Sequence, residues 1–193
     1  MRKMIILAIA ALALGLGTAT AQETYEIDTV HSSVDFKIRH LISKVTGEFT
    51  DFDGTFVVAP DNLDQSSVDF RIKAASIDTG NEKRDEHLRS SDFFDVETYP
   101  EITFKSTKIT RVDDDTFAVA GTLTIRGESK DITLMVDFLG EMEAMGGVRA
   151  GYELSTTINR TEFGVSWNRA LEGGGAVLGD DVEVNIALAL VIQ

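Results

Sequence analysis

Polar and apolar residues alternate with a period of two through eight separate stretches of this chain, and that pattern leaves little besides a β fold. In VDFKIRH (34–40), Val34, Phe36 and Ile38 face one way, and Asp35, Lys37 and Arg39 the other, as side chains do on a strand with one buried face. The alternation recurs in VTGEFTDFDGTFVV (45–58), VDFRIKA (68–74), EITFKSTKITRV (101–112) and TFAVAGTLTIRG (116–127). It continues in DITLMVDFLG (131–140), VRAGYELSTTI (148–158) and VEVNIALALVI (182–192). Gly47 and Gly54 mark bends or bulges inside the second stretch. The separators PDNLDQSS (60–67), DDD (113–115) and RGESK (126–130) carry turn chemistry. Connections this short make neighbouring strands antiparallel. The expected class is all-β, as a two-sheet sandwich or a closed barrel. No repeat, low-complexity tract or linker divides the chain.

The first 21 residues stand apart from this pattern. A basic start, Met1-Arg2-Lys3, precedes an apolar run from Met4 to Gly17, and Ala19-Thr20-Ala21 has the small-x-small form that signal peptidase cuts. The expectation is a signal peptide over 1–21, cleaved after Ala21, and one domain over 22–193. Cleavage removes two of the 18 basic side chains, leaving 16 against 32 acidic ones, a net charge of −16. Such a surface disfavours nucleic acid and anionic membranes as partners. The chain has no cysteine. Export without disulfides points to a bacterial periplasm and a domain stabilised by its core alone.

Two stretches break the alternation. EKRDEHLRSSDFFDVETYP (82–100) follows Thr79-Gly80-Asn81-Glu82, which has the T-x-x-E form of a capping box. A helix of two or three turns is expected there, with Asp85 and Arg89 paired at i,i+4 and Ser91 capping a further turn. Tyr99-Pro100 returns the chain to strand. Leu88, Phe93 and Phe94 form the apolar underside, either as a plug for an open core or as a lid that contacts a ligand. The second stretch, NRTEFGVSWNRALEGGGAVLGDD (159–181), is Gly-rich and holds the only Trp, Trp167.

Catalytic and metal-binding patterns are missing from the sequence. Asp85, Glu86 and His87 are consecutive, so a helix points them in three directions. His31 and His40 bracket one strand, and nine residues at about 3.3 Å each separate them by about 30 Å. DFDG (51–54) and DDD (113–115) lack calcium-loop spacing. There is no G-x-S-x-G, no HExxH and no thiol. Amphipathic strands, export and no catalytic constellation point to a binding module. An eight-stranded barrel has room for one small or slender ligand. An apolar chain needs no motif, because each buried CH₂ contributes about 0.8 kcal/mol.

Several stretches together carry a family resemblance. They are DTVHSSVDFKIRH (28–40), VTGEFTDFDGTF (45–56), SIDTGNEKRDEHLRSSDFFDVETYPEITFKS (76–106), GTLTIRGESKDITLMVDF (121–138), INRTEFG (158–164) and LGDDVEVNIALAL (178–190). In these the chain resembles the YceI-like family of bacterial periplasmic lipid- and polyisoprenoid-binding proteins. The resemblance implies a lipocalin-like, eight-stranded antiparallel barrel with an elongated apolar pore for an isoprenoid, polyprenyl or quinone-like, or another amphiphilic lipid chain. It implies a non-enzymatic carrier with a role in isoprenoid-quinone handling or stress response, and dimers occur among family members. On this reading Phe36, Ile38, Phe70, Ile72, Phe104 and Phe138 line the tail pocket, and Phe93, Phe94 and Trp167 gate one end. His31, Arg84, His87 and Arg160 either meet a polar or phosphate headgroup or pair with the surplus carboxylates. No cofactor, metal ligand or catalytic residue is expected, and no membrane-spanning helix after residue 21. Three alternatives stay open: a filled structural or stress-response barrel without ligand, an outer-membrane barrel, and an enzyme with a rim site near His31 or His87.

Overall fold

The structure is a computed structural model that describes residues 22–192 except 145, 172 and 173. The signal-peptide assignment falls on residues 1–21 and so lies outside the described residues. Eleven strands and one helix follow in the order β1 (Glu23–Ile27), β2 (Ser33–His40), β3 (Ser43–Phe49), β4 (Phe52–Val58), β5 (Ser67–Lys73), β6 (Ile77–Asp78), α1 (Glu82–Arg89), β7 (Glu101–Arg111), β8 (Thr116–Ile125), β9 (Glu128–Ala144), β10 (Gly147–Asn159) and β11 (Leu178–Ile192). All pairings are antiparallel, and the ring β1-β4-β5-β7-β8-β9-β10-β11 closes on itself through β1–β11.

The remaining three strands extend staves of that ring. β11 pairs with β2 along Leu178 to Ala187 and with β1 from Leu190 to Ile192, so β1 and β2 share one position around the barrel. β3 and β4 share another, and β5 and β6 a third. The result is a closed eight-stave antiparallel barrel, matching the expected class. Gly47 and Gly54, expected as bends or bulges, both stay in register, opposite Phe36 and Phe70; the chain breaks instead at Thr50-Asp51, where the Thr50 N–H leaves the ladder and donates to the Ser76 carbonyl at 3.2 Å. β1 is a strand that the eight-stretch reading passed over. Its alternation is real but short: Tyr25 is buried while its neighbours are not.

Close cross-strand packing explains two of the glycines. The Phe36 ring lies over Gly47, its registered partner on β3, and a Cβ there would meet Phe36 Cζ at 2.5 Å. At Gly121 a Cβ would meet the Lys105 carbonyl oxygen at 2.5 Å and Phe104 Cζ at 2.6 Å. One of those neighbours is backbone, which cannot swing aside. Gly121→Ala is therefore expected to destabilise the barrel by about 1–3 kcal/mol, the range for overpacking, read as a lower urea midpoint. An unchanged midpoint would show that β7 and β8 separate easily.

The 82–100 connection covers one end of the barrel, but its details differ from the capping-box reading. Asn81 is the N-cap: its side chain accepts from the Arg84 N–H at 3.1 Å. Thr79 is tied instead to Asp85, a carboxylate only 3% exposed that accepts from both the Thr79 N–H and its hydroxyl. Arg89 is paired with Glu82 at 3.5 Å rather than with Asp85, and donates to the Ala75 and Ile77 carbonyls. The helix ends at Ser90, and turns rather than a further helical turn carry Phe93 and Phe94.

Candidate functional site

Inside the barrel lies an elongated, largely apolar cavity of about 460 Å³, within the range of small-molecule sites. Its wall has two unlike halves. On the β4, β5 and β7 side, Phe56, Phe70, Ile72, Ile102 and Phe104 are each at most 7% exposed, and the Phe70 ring meets those of Phe56 and, behind the wall, Phe52 in tilted pairs. On the β8 to β11 side, Ile132, Leu134, Val136, Phe138, Val184, Ile186 and Leu188 also line the lumen, yet each keeps accessible surface. Their outward neighbours on β9 are exposed and mostly polar, so the alternation places this accessible apolar surface on the inside. The barrel is packed on its aromatic half and hollow on its aliphatic half.

One end is closed by α1 and the segment that follows β10, at Phe163 and Val165. Leu88 and Phe94 face the cavity from the lid, and Phe94 meets Phe49 edge-on at 5.9 Å. Phe163 and Val165 close the wall beside them, at 3% and 4% exposure. Arginines fasten these loops. Arg126 sits with Gly127 in a two-residue hairpin between Ile125 and Glu128, both at positive φ, the geometry of a type I′ turn. From there its guanidinium donates to the Gly164 carbonyl and, at 2.7 Å, to the Ser91 carbonyl, tying both closing segments to one hairpin. Arg160 is buried, with Nε donating to the Gly179 carbonyl at 2.8 Å and Nη1 to those of Val165 and Trp167 at 2.6 and 3.0 Å. Burial lowers the Arg160 guanidinium from its ordinary value, and Asp180 opposes that shift.

The other end carries most of the charged side chains that line the cavity. Register places Glu23 and Tyr25 of β1, Arg111 at the end of β7 and Glu141 of β9 there, beside the 59–66 and 112–115 loops. Tyr25 is 2% exposed, and its hydroxyl lies 2.9 Å from Glu23 Oε2 and 3.3 Å from Glu141 Oε2. β1 and β9 are separated by two staves, so this contact crosses the end of the lumen. Burial and the two carboxylates push the Tyr25 phenol up, and burial followed by the same carboxylates raises Tyr152.

The sequence-selected residues separate into groups. Phe36, Ile38, Phe70, Ile72, Phe94, Phe104, Phe138 and Arg160 stand in the cavity wall. Phe93 and Trp167 stand outside it with His87, as three mutually touching rings with centroids 5.0–5.2 Å apart. His87 also bonds to Asp92 at 2.8 Å. Arg84 points back to Thr79, bonding its hydroxyl at 2.6 Å and its carbonyl at 2.8 Å. His31 lies at the bend between β1 and β2, with its Nδ1 3.0 Å from Asp28. The lid therefore contributes Leu88 and Phe94 to the cavity, while the cations chosen for a headgroup are occupied by protein groups. Glu23, Tyr25, Glu141 and Tyr152 were not selected from the sequence.

The His31–Asp28–Arg149 cluster makes a statement about pH. Hydrogen bonds from His31 and then Arg149 hold the Asp28 carboxyl below its ordinary value. Lys44 does the same for Glu183, and the Asp115 and Thr116 N–H groups for Asp113. Groups depressed in the folded state contribute stability that is present above their unfolded values, near 4, and lost as pH falls through the folded ones. Thermal midpoints are expected to stay level from about pH 8 to pH 5 and to fall below about pH 4. A midpoint unchanged at about pH 2 would contradict this.

Comparison with known proteins places the chain. The profile of the YceI-like domain matches residues 25–190. A protein of Azotobacter vinelandii named UPF0312 protein is 39% identical over 163 residues, covering 82% of this chain and 84% of its own. Among solved structures, BcnA of Burkholderia cenocepacia superposes with a TM-score of 0.72 at 26% identity, covering 84% of this chain and 98% of that one. A polyisoprenoid-binding domain from Saccharophagus degradans, implicated in plant cell wall breakdown, superposes at 0.67 with 16% identity, covering 88% and 98%, a likeness of fold alone.

Proposed function

Since the chain belongs to the YceI-like family, we propose that it is an exported, non-enzymatic carrier that holds a long apolar lipid chain in its lumen, with an isoprenoid as the leading candidate. The observation that carries the reading is the hollow half of the barrel, where Ile132, Leu134 and Val136 of β9 and Val184, Ile186 and Leu188 of β11 keep accessible surface around about 460 Å³. Apolar surface left exposed to an internal void is stabilised by any chain that fills it. One five-carbon prenyl unit contributes on the order of 3–4 kcal/mol. The polyisoprenoid-binding domain of Saccharophagus degradans has the same fold, which fits a ligand of this class. The closed end, fastened by Arg126 and Arg160, gives the tail a floor. A carrier role needs no reaction. Among the described residues His31 and His87 each bond to an aspartate, and no cluster of three metal-ligating side chains forms.

Organic extraction of protein purified from its native compartment, followed by lipid mass spectrometry, tests this directly. A stoichiometric prenyl or other long-chain lipid is the expected result. Protein that arrives empty and binds no added prenyl lipid would overturn the reading.

A further inference from the structure

Resting on the carrier reading, the lumen's polar end says which lipids it takes. We propose that the ligand's polar end sits against Glu23, Glu141 and Tyr152, and that these residues restrict the cavity to lipids whose headgroup bears no negative charge. Three observations converge on this. First, the lid end offers no place for a headgroup: Ile77, Phe163 and Val165 seal it at 1–4% exposure, and the one cation in its wall, Arg160, is bonded to three backbone carbonyls. Secondly, most of the charged side chains that line the cavity are at the opposite end, where Glu23, Asp114, Asp115 and Glu141 stand in the wall with one cation, Arg111. That guanidinium is itself engaged, donating to the Asp114 carbonyl at 2.9 Å and lying 4.9 Å over the Phe117 ring. Thirdly, Glu23 and Glu141 have no Lys, Arg or His in ion-pairing range among the described residues. They share one hydroxyl, Tyr25, which has a single proton to give.

A phosphate in this position meets two uncompensated carboxylates beside an apolar wall. At an effective dielectric near 20 and about 6 Å, each repels it by roughly a hundredfold in affinity before salt and solvent screening. An alcohol, carbonyl or amide escapes that repulsion and exchanges hydrogen bonds with the Tyr152 hydroxyl and the carboxylate oxygens. Selection works here by exclusion of the wrong headgroup rather than by added contacts to the right one.

Paired titrations with farnesol and farnesyl monophosphate test the proposal on the mature chain. Farnesol is expected to bind at least about tenfold more tightly, with the ratio narrowing as salt rises. In the double variant Glu23→Gln/Glu141→Gln, which keeps acceptors for Tyr25, the ratio is expected to fall toward one. Equal affinities, tighter binding of the phosphate, or a ratio that neither salt nor the double variant moves would overturn it. If the double variant does not fold, the salt series on the parent chain decides. Failure of both lipids to bind would instead remove the carrier reading itself.

Discussion

The double variant Leu134→Trp/Ile186→Trp is expected to raise the Kd for a prenyl lipid by about 10²–10³ while leaving the fold intact. Both positions line the hollow half of the lumen and keep accessible surface there. Two indoles in place of two aliphatic groups occupy about the space of one prenyl unit, and the lost burial of that unit is on the order of 3–4 kcal/mol. Overpacking is costly only where atoms are already in contact, so the thermal midpoint should hold or rise. The control is Ile72→Trp on the packed half, where the side chain is 7% exposed among phenylalanines; there the same change should lower the midpoint. Calorimetric titration and thermal unfolding on the three proteins separate the outcomes. If Leu134→Trp/Ile186→Trp destabilises as Ile72→Trp does, the lumen is filled and the structural-barrel alternative gains. If binding is unchanged, the lipid lies elsewhere.

That contrast also marks what could be read in advance. Alternation identified the inward faces well: Phe36, Ile38, Phe70, Ile72, Phe104 and Phe138 all stand in the wall. It said nothing about what those faces meet. Phe70 and Ile132 have the same pattern around them, yet one is packed and the other faces a void, because occupancy depends on the radius of the closed ring and not on any one strand. The polar end was hidden for a more local reason. On β9, Phe138 and Glu141 both face inward although they are an odd number of positions apart, because the register shifts by one opposite Gly151 and Tyr152. Gly140, at φ +126°, is the signal: only such a residue accommodates that backbone, and strict alternation read through it turns Glu141 outward. Glu23 was missed with β1, a five-residue strand whose pattern is too short to stand out. The lid's cations were chosen by residue type, and type does not reveal whether backbone carbonyls converge on a guanidinium.

Arg160 is the position where that distinction has the largest consequence. Arg160→Met keeps most of the side-chain volume and removes the fork that holds the Gly179, Val165 and Trp167 carbonyls. The bond to Val165 is buried and the other two partly so; a buried carbonyl left without a donor costs about 1–3 kcal/mol and a partly buried one less, so a loss of roughly 3–5 kcal/mol is expected. Arg160→Lys should recover little of it, since one ammonium cannot reproduce a planar fork aimed at three acceptors. Arg84→Met, at an exposed site where the guanidinium bonds to Thr79, should cost less than about 1 kcal/mol. Urea unfolding of the three variants reads these values. A headgroup-binding role predicts the reverse pattern: near-native stability for Arg160→Met together with weakened binding of a prenyl phosphate. The two roles differ physically in where the positive charge is spent. A guanidinium whose Nε and Nη1 donors already hold the chain that closes the barrel has little left to offer a ligand, and the selectivity of the lumen then falls to the carboxylates at its other end.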